Sequence, residues 1–180
     1  MKEDQIETRE RIANLHLLED LLDHMSIETK KIPSIEGVFR HFPESLKVKL
    51  CFEVIQKDGF ALKYVPENQK TLELCITAVK QAGGALKYVP LKSEEICLAA
   101  VLQNGFALKY VPKDFMSLKI CFAAVHQYGC ALEFVPESLM STEMFLTAVE
   151  QNGLALEYVP EKFRTLELCL AAIKSAEIEK

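Results

Sequence analysis

The sequence predicts an all-α fold, an α-solenoid of about six two-helix repeats of 22–24 residues with an N-terminal helical cap. The first observation is a recurring string, which reads GFALKYVP from Gly59 to Pro66 and GLALEYVP from Gly153 to Pro160. The second is its period, because the prolines that close the string are 23, 24, 22, 24 and 24 residues apart: Pro43, Pro66, Pro90, Pro112, Pro136 and Pro160. The third is the helical spacing of the apolar residues between the strings. Such periods are typical of units that bury their apolar faces only by stacking in a line.

Two regions follow from this pattern: residues 1–36 as the N-terminal helical cap, and residues 37–180 as the tandem-repeat solenoid, a single continuous domain. The cap segment is amphipathic, with these apolar residues on one side of a helix: Ile6, Ile12, Leu15, Leu18, Leu21, Leu22 and Met25. It lacks the apolar region and the cleavage site of a signal peptide. The residues from Ser175 onwards are polar, so we expect them to fray.

The longer helix of each repeat has recognisable ends. We expect it to begin after a hydroxyl side chain that caps a free N–H of the first turn. These N-cap residues are Thr71, Ser93, Ser117, Ser141 and Thr165. The helix should then stop at a glycine, for which we expect a left-handed conformation. These glycines are Gly59, Gly83, Gly105, Gly129 and Gly153.

The shorter helix of each repeat is the ALKYV stretch, and the proline after it ends the helix because the residue before a proline avoids the α region. A helix this short is unstable alone in water, so it must be held by neighbouring units. The two-residue changes in period fall after the proline, and we therefore expect a loop there.

The pattern ALxYVP followed by LAAVxQNG resembles the short helical repeats of bacteria grouped as domain of unknown function 4116, over residues 37–174. The proline after ALKYV and the cysteine inside the longer helix depart from the family pattern. The resemblance implies no established activity and no catalytic residues. Since members occur in host-associated bacteria, it implies an interaction module, which could belong to a secreted effector acting in the host cytosol.

Composition excludes several classes of protein. The net charge of −5 argues against a binder of nucleic acid driven by bulk electrostatics. No run of about 18 apolar residues is present, which argues against a membrane span or a membrane partner. We therefore expect a protein of the reducing cytosol.

The cysteines and histidines do not form a chemical site. Five of the cysteines share one repeat position, which is occupied by Phe145 in the remaining copy: Cys51, Cys75, Cys97, Cys121 and Cys169. Cys130 likewise takes an apolar position, and no C-x-x-C pair occurs. Since no motif for phosphate, dinucleotide or nucleophilic chemistry is present either, we expect no metal, no cofactor and no enzymatic activity.

Residues that vary within the constant repeat are the candidates for binding. One position of the short helix forms a charge ladder, basic and then acidic: Arg40, Lys63, Lys87, Lys109, Glu133 and Glu157. The ladder is either an ordinary solvated face or a bipolar stripe that orients a charged partner. Beside it runs an aromatic row, which either packs between units or offers a stacking surface: His41, Tyr64, Tyr88, Tyr110, Phe134 and Tyr158.

The longer helix adds a row of identical amides: Gln81, Gln103, Gln127 and Gln151. These side chains either bond the helix cap of the neighbouring unit or bond the backbone of an extended peptide. Leu102, His126 and Tyr128 occupy variable positions near the centre of the array, and we interpret them as a contact patch.

The function predicted from the sequence is a non-catalytic scaffold that binds a protein or a peptide. The alternative is a self-assembling repeat protein whose ends stack, but both ends look polar, so we expect a monomer. An enzyme would instead need a polar pocket with ionisable groups of perturbed pKa.

Overall fold

The computed structural model describes the backbone of residues 44–178 and the side chains of residues 47–175. Residues 1–54 and residues 55–180 form two separate compact units. The predicted N-terminal cap, Arg40 and His41 lie outside the described residues.

All regular structure in the described residues is helical, which confirms the all-α prediction. The α-helices are α1 (Glu44–Lys57), α2 (Leu72–Gln81), α3 (Glu94–Gln103), α4 (Leu118–Gln127), α5 (Thr142–Gln151) and α6 (Leu166–Ile178). Between them lie six-residue 3₁₀ helices, here called the short helices: Gly59–Tyr64, Gly83–Tyr88, Gly105–Tyr110, Gly129–Phe134 and Gly153–Tyr158.

Within residues 55–178 the repeats are arrayed in sequence order. Each α-helix from α2 to α5 packs against the next one, and each short helix packs against the short helix of the following repeat. The layer between them is apolar, and the Ala-Leu pair of the first four short helices is buried together with the Ala-Val pair of α2 to α5. A two-helix unit stacked in this way is the repeat fold that the sequence predicts.

The helix starts are as expected from the sequence. The hydroxyl oxygen of each predicted N-cap residue accepts a hydrogen bond from the backbone N–H three residues later, at 3.2–3.4 Å. The acceptors are Thr71, Ser93, Ser117, Ser141 and Thr165. This geometry satisfies one N–H that the first turn would otherwise leave unpaired.

Glycine is required after each of the helices α1 to α5 for a different reason from the one predicted. No glycine in the described residues has a positive φ, so the left-handed C-cap is wrong. Instead, a Cβ at Gly105 would come closer than 3.0 Å to the carbonyl oxygen of Ala124, one repeat further on. Gly59, Gly83, Gly129 and Gly153 meet the equivalent alanine carbonyl in the same way. Glycine is therefore needed because the next α-helix approaches the backbone closely.

The segment after the proline is more ordered than the predicted loop. In most repeats it contains a single 3₁₀ turn, at Glu67–Gln69, Lys113–Phe115, Glu137–Leu139 and Glu161–Phe163. The 22-residue repeat lacks this turn between Val89 and Ser93. The change of period thus falls where the sequence places it, but the segment itself is a third helical element.

The predicted fraying of the C-terminal residues is wrong as far as Ile178, where α6 ends. Ser175 is buried, and its hydroxyl donates to the backbone carbonyl of Glu150 at 3.3 Å. A polar side chain here replaces the glutamine of the other repeats.

Candidate binding surface on the short helices

The short helices present one face to solvent by virtue of their geometry. In the repeated segment Gly-x-Ala-Leu-Lys-Tyr, the glycine, alanine and leucine are mostly buried, whereas the second and fifth positions point outwards. These two positions are three residues apart, and side chains at i and i+3 eclipse each other in a 3₁₀ helix. We call the solvent-facing side of the five stacked short helices the short-helix surface.

The charge ladder lies on the short-helix surface. The members in the described residues are all exposed: Lys63, Lys87, Lys109, Glu133 and Glu157. Because each short helix packs on the next, the three basic positions are followed by the two acidic ones along the array. Within the described part of the chain, none of the three lysines forms an ion pair, so their charges are available to a ligand.

Each lysine of the ladder lies over an aromatic ring. The Nζ atom is 5.3 Å from the ring centre of Tyr64 for Lys63 and 4.6 Å from that of Tyr88 for Lys87. Lys109 lies 4.8 Å from the Tyr110 ring and 3.7 Å from the Phe106 ring. Cation–π contacts of this kind hold an ammonium group in place without neutralising it.

Aromatic side chains converge at the centre of the array. The Phe106 ring meets Tyr128 edge-on at 6.2 Å and Phe134 edge-on at 5.4 Å. Together with Lys109, these rings form what we call the central aromatic cluster. Phe106 is 39% exposed and Tyr128 is 37% exposed, so the cluster offers apolar surface to solvent. The structure thus brings together Lys109 and Tyr128, which the sequence analysis placed in separate sets.

Tyr128 occupies a position with a structural role that the sequence analysis missed. The residue before the glycine is the N-cap of the short helix. Asp58, Asn104 and Asn152 accept a hydrogen bond there from the N–H two residues later, at 2.9–3.0 Å. Ala82 and Tyr128 make no such side-chain bond. The signal available in the sequence was the Asp-Gly or Asn-Gly pair, which is typical of a side chain capping its own turn.

The glutamine row connects consecutive repeats, which confirms the interpretation that each glutamine bonds the end of the neighbouring helix. The Nε2 atoms of Gln81, Gln103 and Gln127 donate to the carbonyl of the residue at the end of the preceding α-helix, at 3.3–3.4 Å. A peptide-binding role for the row stays a prediction, although it would compete with these bonds.

Two glutamines also bond the short helices whose N-cap residue makes no side-chain hydrogen bond. The Oε1 atom of Gln103 accepts from the N–H of Gly83 at 2.5 Å, and that of Gln151 accepts from the N–H of Gly129. These are the two glycines that follow the uncapped residues, Ala82 and Tyr128. The glutamine of the next repeat therefore bonds the first N–H of these two short helices, whereas an Asp or Asn N-cap bonds the second N–H of the others.

Leu102 and His126, the other members of the predicted contact patch, are exposed at equivalent positions of α3 and α4. Neither takes part in a ring contact or a hydrogen bond among the described residues. Their place in a binding site stays a prediction.

Wherever a pKa is shifted among the described residues, it is raised, so that it lies further above neutral pH. Burial raises the pKa of the Cys121 thiol to about 11, and burial also raises the pKa of the Cys97 thiol above its usual value. Both side chains are fully buried, as expected for an apolar position. A hydrogen bond with the Glu157 carboxylate raises the pKa of Tyr158 to about 12, and one with Tyr88 raises the pKa of Lys87. At neutral pH these groups all keep their protons.

The described residues show no sign of a metal centre or a membrane-spanning helix. All six cysteines are thiols. Between residues 47 and 175, no group of three or more histidine, cysteine and carboxylate side chains is arranged to hold a metal ion. No helix in the same range is long and apolar enough to cross a bilayer.

The stacked helical units and their solvent-facing ladder define a helical-repeat protein of the solenoid class. A family model described as a domain of unknown function (DUF4116) matches five overlapping segments: residues 48–93, 71–116, 93–140, 117–164 and 141–176. The chain belongs to this family, and the matches confirm the resemblance stated from the sequence. Comparison with curated proteins and with solved structures gave no match.

Proposed function

We propose that this chain is a non-catalytic repeat scaffold that binds an extended segment of a protein or peptide along the short-helix surface. The observation that carries the proposal is the central aromatic cluster, where half-exposed rings and an uncompensated lysine meet. Rigid aromatic side chains in the middle of a surface are the usual anchors of protein interfaces. Tyr128 and Lys109 are the anchors of this site.

The charge ladder supports a partner of defined polarity. Equivalent side chains of stacked helices lie about 8–10 Å apart, which corresponds to roughly three residues of an extended chain. A segment with an acidic residue at every third position would follow Lys63, Lys87 and Lys109. Basic residues in its other half would follow Glu133 and Glu157. Such complementarity fixes the direction and register of a partner more than it adds affinity.

The absence of catalysis is part of the proposal. It is supported by the direction of the pKa shifts, because general acid–base catalysis works best with groups that titrate near the working pH. The thiols of this chain favour a reducing compartment. We place the role in the cytosol of a cell, which would be a host cell if the chain is a secreted bacterial effector.

The test begins with a random peptide library displayed on phage and selected on the immobilised 180-residue protein. Enriched peptides are synthesised with a fluorophore, and their Kd is measured by fluorescence anisotropy at low and high salt. We expect enriched sequences to carry acidic residues at intervals of about three together with an apolar or aromatic residue. Because exposed charges are screened by salt, the affinity should fall as the salt concentration rises.

Two triple variants then locate the site. One reverses the ladder with Lys63→Glu, Lys87→Glu and Lys109→Glu, and the matched control reverses exposed lysines elsewhere with K113E, K119E and K162E. Both change the net charge equally. The ladder variant should lose most of the binding, whereas the control should retain it, and both should keep the wild-type helical circular dichroism. Failure to enrich any peptide, or equal binding by the two variants, would rule out the proposal.

A further inference from the structure

The last α-helix exposes a stripe of three apolar residues, and one of them, Ile173, occupies a repeat position that is buried in the preceding repeats. Leu166, Leu170 and Ile173 lie four and three residues apart on α6 and are 76%, 48% and 57% exposed. Ile173 occupies the repeat position of Val79, Val101, Val125 and Val149, and each of these valines is 0% exposed. Ile173 is therefore exposed to solvent, although the equivalent apolar residues of the preceding repeats are buried.

The cause of this exposure is visible in the packing. Each α-helix from α2 to α5 contacts the short helix that follows it, and α6 is followed by no short helix in the described part of the chain. Phe163, just before α6, adds a further exposed ring. The sequence analysis expected a monomer because both ends looked polar, and this face of α6 is not polar.

Charged side chains flank the stripe in a self-complementary arrangement. Glu167 and Lys174 are seven residues apart, on the same side of α6, where they line a groove with Leu146 and Glu150 of α5. Neither Glu167 nor Lys174 forms an ion pair among the described residues. Two residues of opposite charge, one helical heptad apart beside an apolar stripe, are what an antiparallel pair of identical helices requires.

We propose that the apolar face of α6 binds a second copy of this chain, with the two α6 helices antiparallel about a two-fold axis. In this pairing Leu170 of each copy packs on Ile173 of the other, and Glu167 of each copy lies beside Lys174 of the other. Every contact occurs twice because a two-fold interface uses the same patch on both subunits. The assembly closes at two copies and leaves the short-helix surface for its own ligand.

The size of the stripe sets the strength of the dimer. A pair of helices about three turns long buries an area at the low end of specific interfaces, so dissociation should be observable at micromolar concentrations. We therefore expect sedimentation velocity and light scattering to show a concentration-dependent change from 20.3 kDa to twice this mass. A mass that stays at 20.3 kDa up to about 200 μM, or one that grows beyond two copies, would overturn the proposal.

Apolar-to-charged substitutions locate the interface. Ile173→Glu should abolish the dimer because two carboxylates would be buried opposite leucines, while its exposed position leaves the fold intact. The control is Leu91→Glu, which places the same charge at a residue that is 85% exposed on another surface. A dimer that survives Ile173→Glu, or is lost equally with Leu91→Glu, would contradict the assignment.

A charge swap tests the antiparallel register. Glu167→Lys and Lys174→Glu should each raise the dimer Kd roughly tenfold, since each replaces two attractive contacts by two repulsive ones. The double variant restores both pairs with reversed signs, so its Kd should return close to that of the wild type. A double variant that dimerises no better than the single variants would exclude this pairing.

Discussion

The close approach between repeats can be tested at two adjacent glycines, Gly83 and Gly84. A Cβ at Gly83 would come closer than 3.0 Å to the backbone carbonyl of Ala100, which belongs to the next α-helix. At Gly84 the nearest atoms are Cε1 and Cζ of Phe60, both at 3.0 Å, and this half-exposed ring can move aside. The two substitutions add the same methyl group to neighbouring residues of one helix and differ only in what they meet.

The magnitudes follow from these contacts. For Gly83→Ala, overpacking against backbone costs about 1–3 kcal/mol. Disturbing the bond from the Gly83 N–H to Gln103 costs about 1 kcal/mol. The reduced freedom of the unfolded chain returns about 0.5–1 kcal/mol. The net loss in the free energy of unfolding is therefore about 1–3.5 kcal/mol. Gly84→Ala meets only a movable ring, so the reduced freedom of the unfolded chain should dominate. This variant should be neutral or stabilising by up to about 1 kcal/mol.

Urea unfolding followed by far-ultraviolet circular dichroism measures both changes, because the chain has no tryptophan to report by fluorescence. A third variant, Gly83→Asn, separates close approach from a left-handed cap. Asparagine tolerates the left-handed region better than alanine does, so a cap would make this variant the milder one. If close approach is the reason for the glycine, Gly83→Asn should be at least as destabilising as Gly83→Ala. Equal stabilities for Gly83→Ala and Gly84→Ala would refute the reasoning.

Three further predictions concern individual side chains. Ser117→Ala should lower the free energy of unfolding by about 1 kcal/mol in urea titrations because it removes the acceptor for the Ile120 N–H; no change would contradict the cap. Cys97→Ser should cost about 1–3 kcal/mol by burying a hydroxyl, and at pH 8 a thiol reagent should modify native Cys97 far more slowly than half-buried Cys169, since burial raises the pKa of Cys97. Tyr128→Asn should stabilise the protein by about 0.5–1 kcal/mol by restoring the short-helix cap and should weaken capture of selected peptides; an unchanged Kd would remove Tyr128 from the binding site.

The sequence predicted the fold well because periodicity and capping are local signals. The period located every repeat in the described residues, and each hydroxyl residue predicted as an N-cap proved to be one. The reason for the glycines could not be read in the same way. A glycine before a helix break is compatible with a left-handed residue and with close approach, and only the position of Ala124 opposite Gly105 distinguishes them.

The candidate site was only partly predictable, because its geometry depends on contacts across repeats. In the sequence, Lys109 stood out as a member of the charge ladder, and Tyr128 stood out separately because its repeat position is variable. Their association depends on Phe106, whose ring contacts both residues. The exposure of Ile173 was also hidden, since its sequence position is that of a buried valine and its exposure depends on the packing around α6.

The two repeats without a short-helix cap show why Tyr128 is more than a neutral variation. At both Ala82 and Tyr128 the chain lacks the side-chain hydrogen bond that asparagine or aspartate supplies elsewhere, and a glutamine from the next repeat bonds the adjacent glycine N–H instead. At Ala82 nothing takes the place of the lost side chain. At Tyr128 the substitution brings in a large ring, which meets Phe106 and remains 37% exposed. Exposing an aromatic ring while forgoing a cap does not help the fold, and departures from local consistency of this kind concentrate at functional positions. The same reasoning favours the centre of the array as the anchoring part of the proposed binding surface, with the ladder on either side of it.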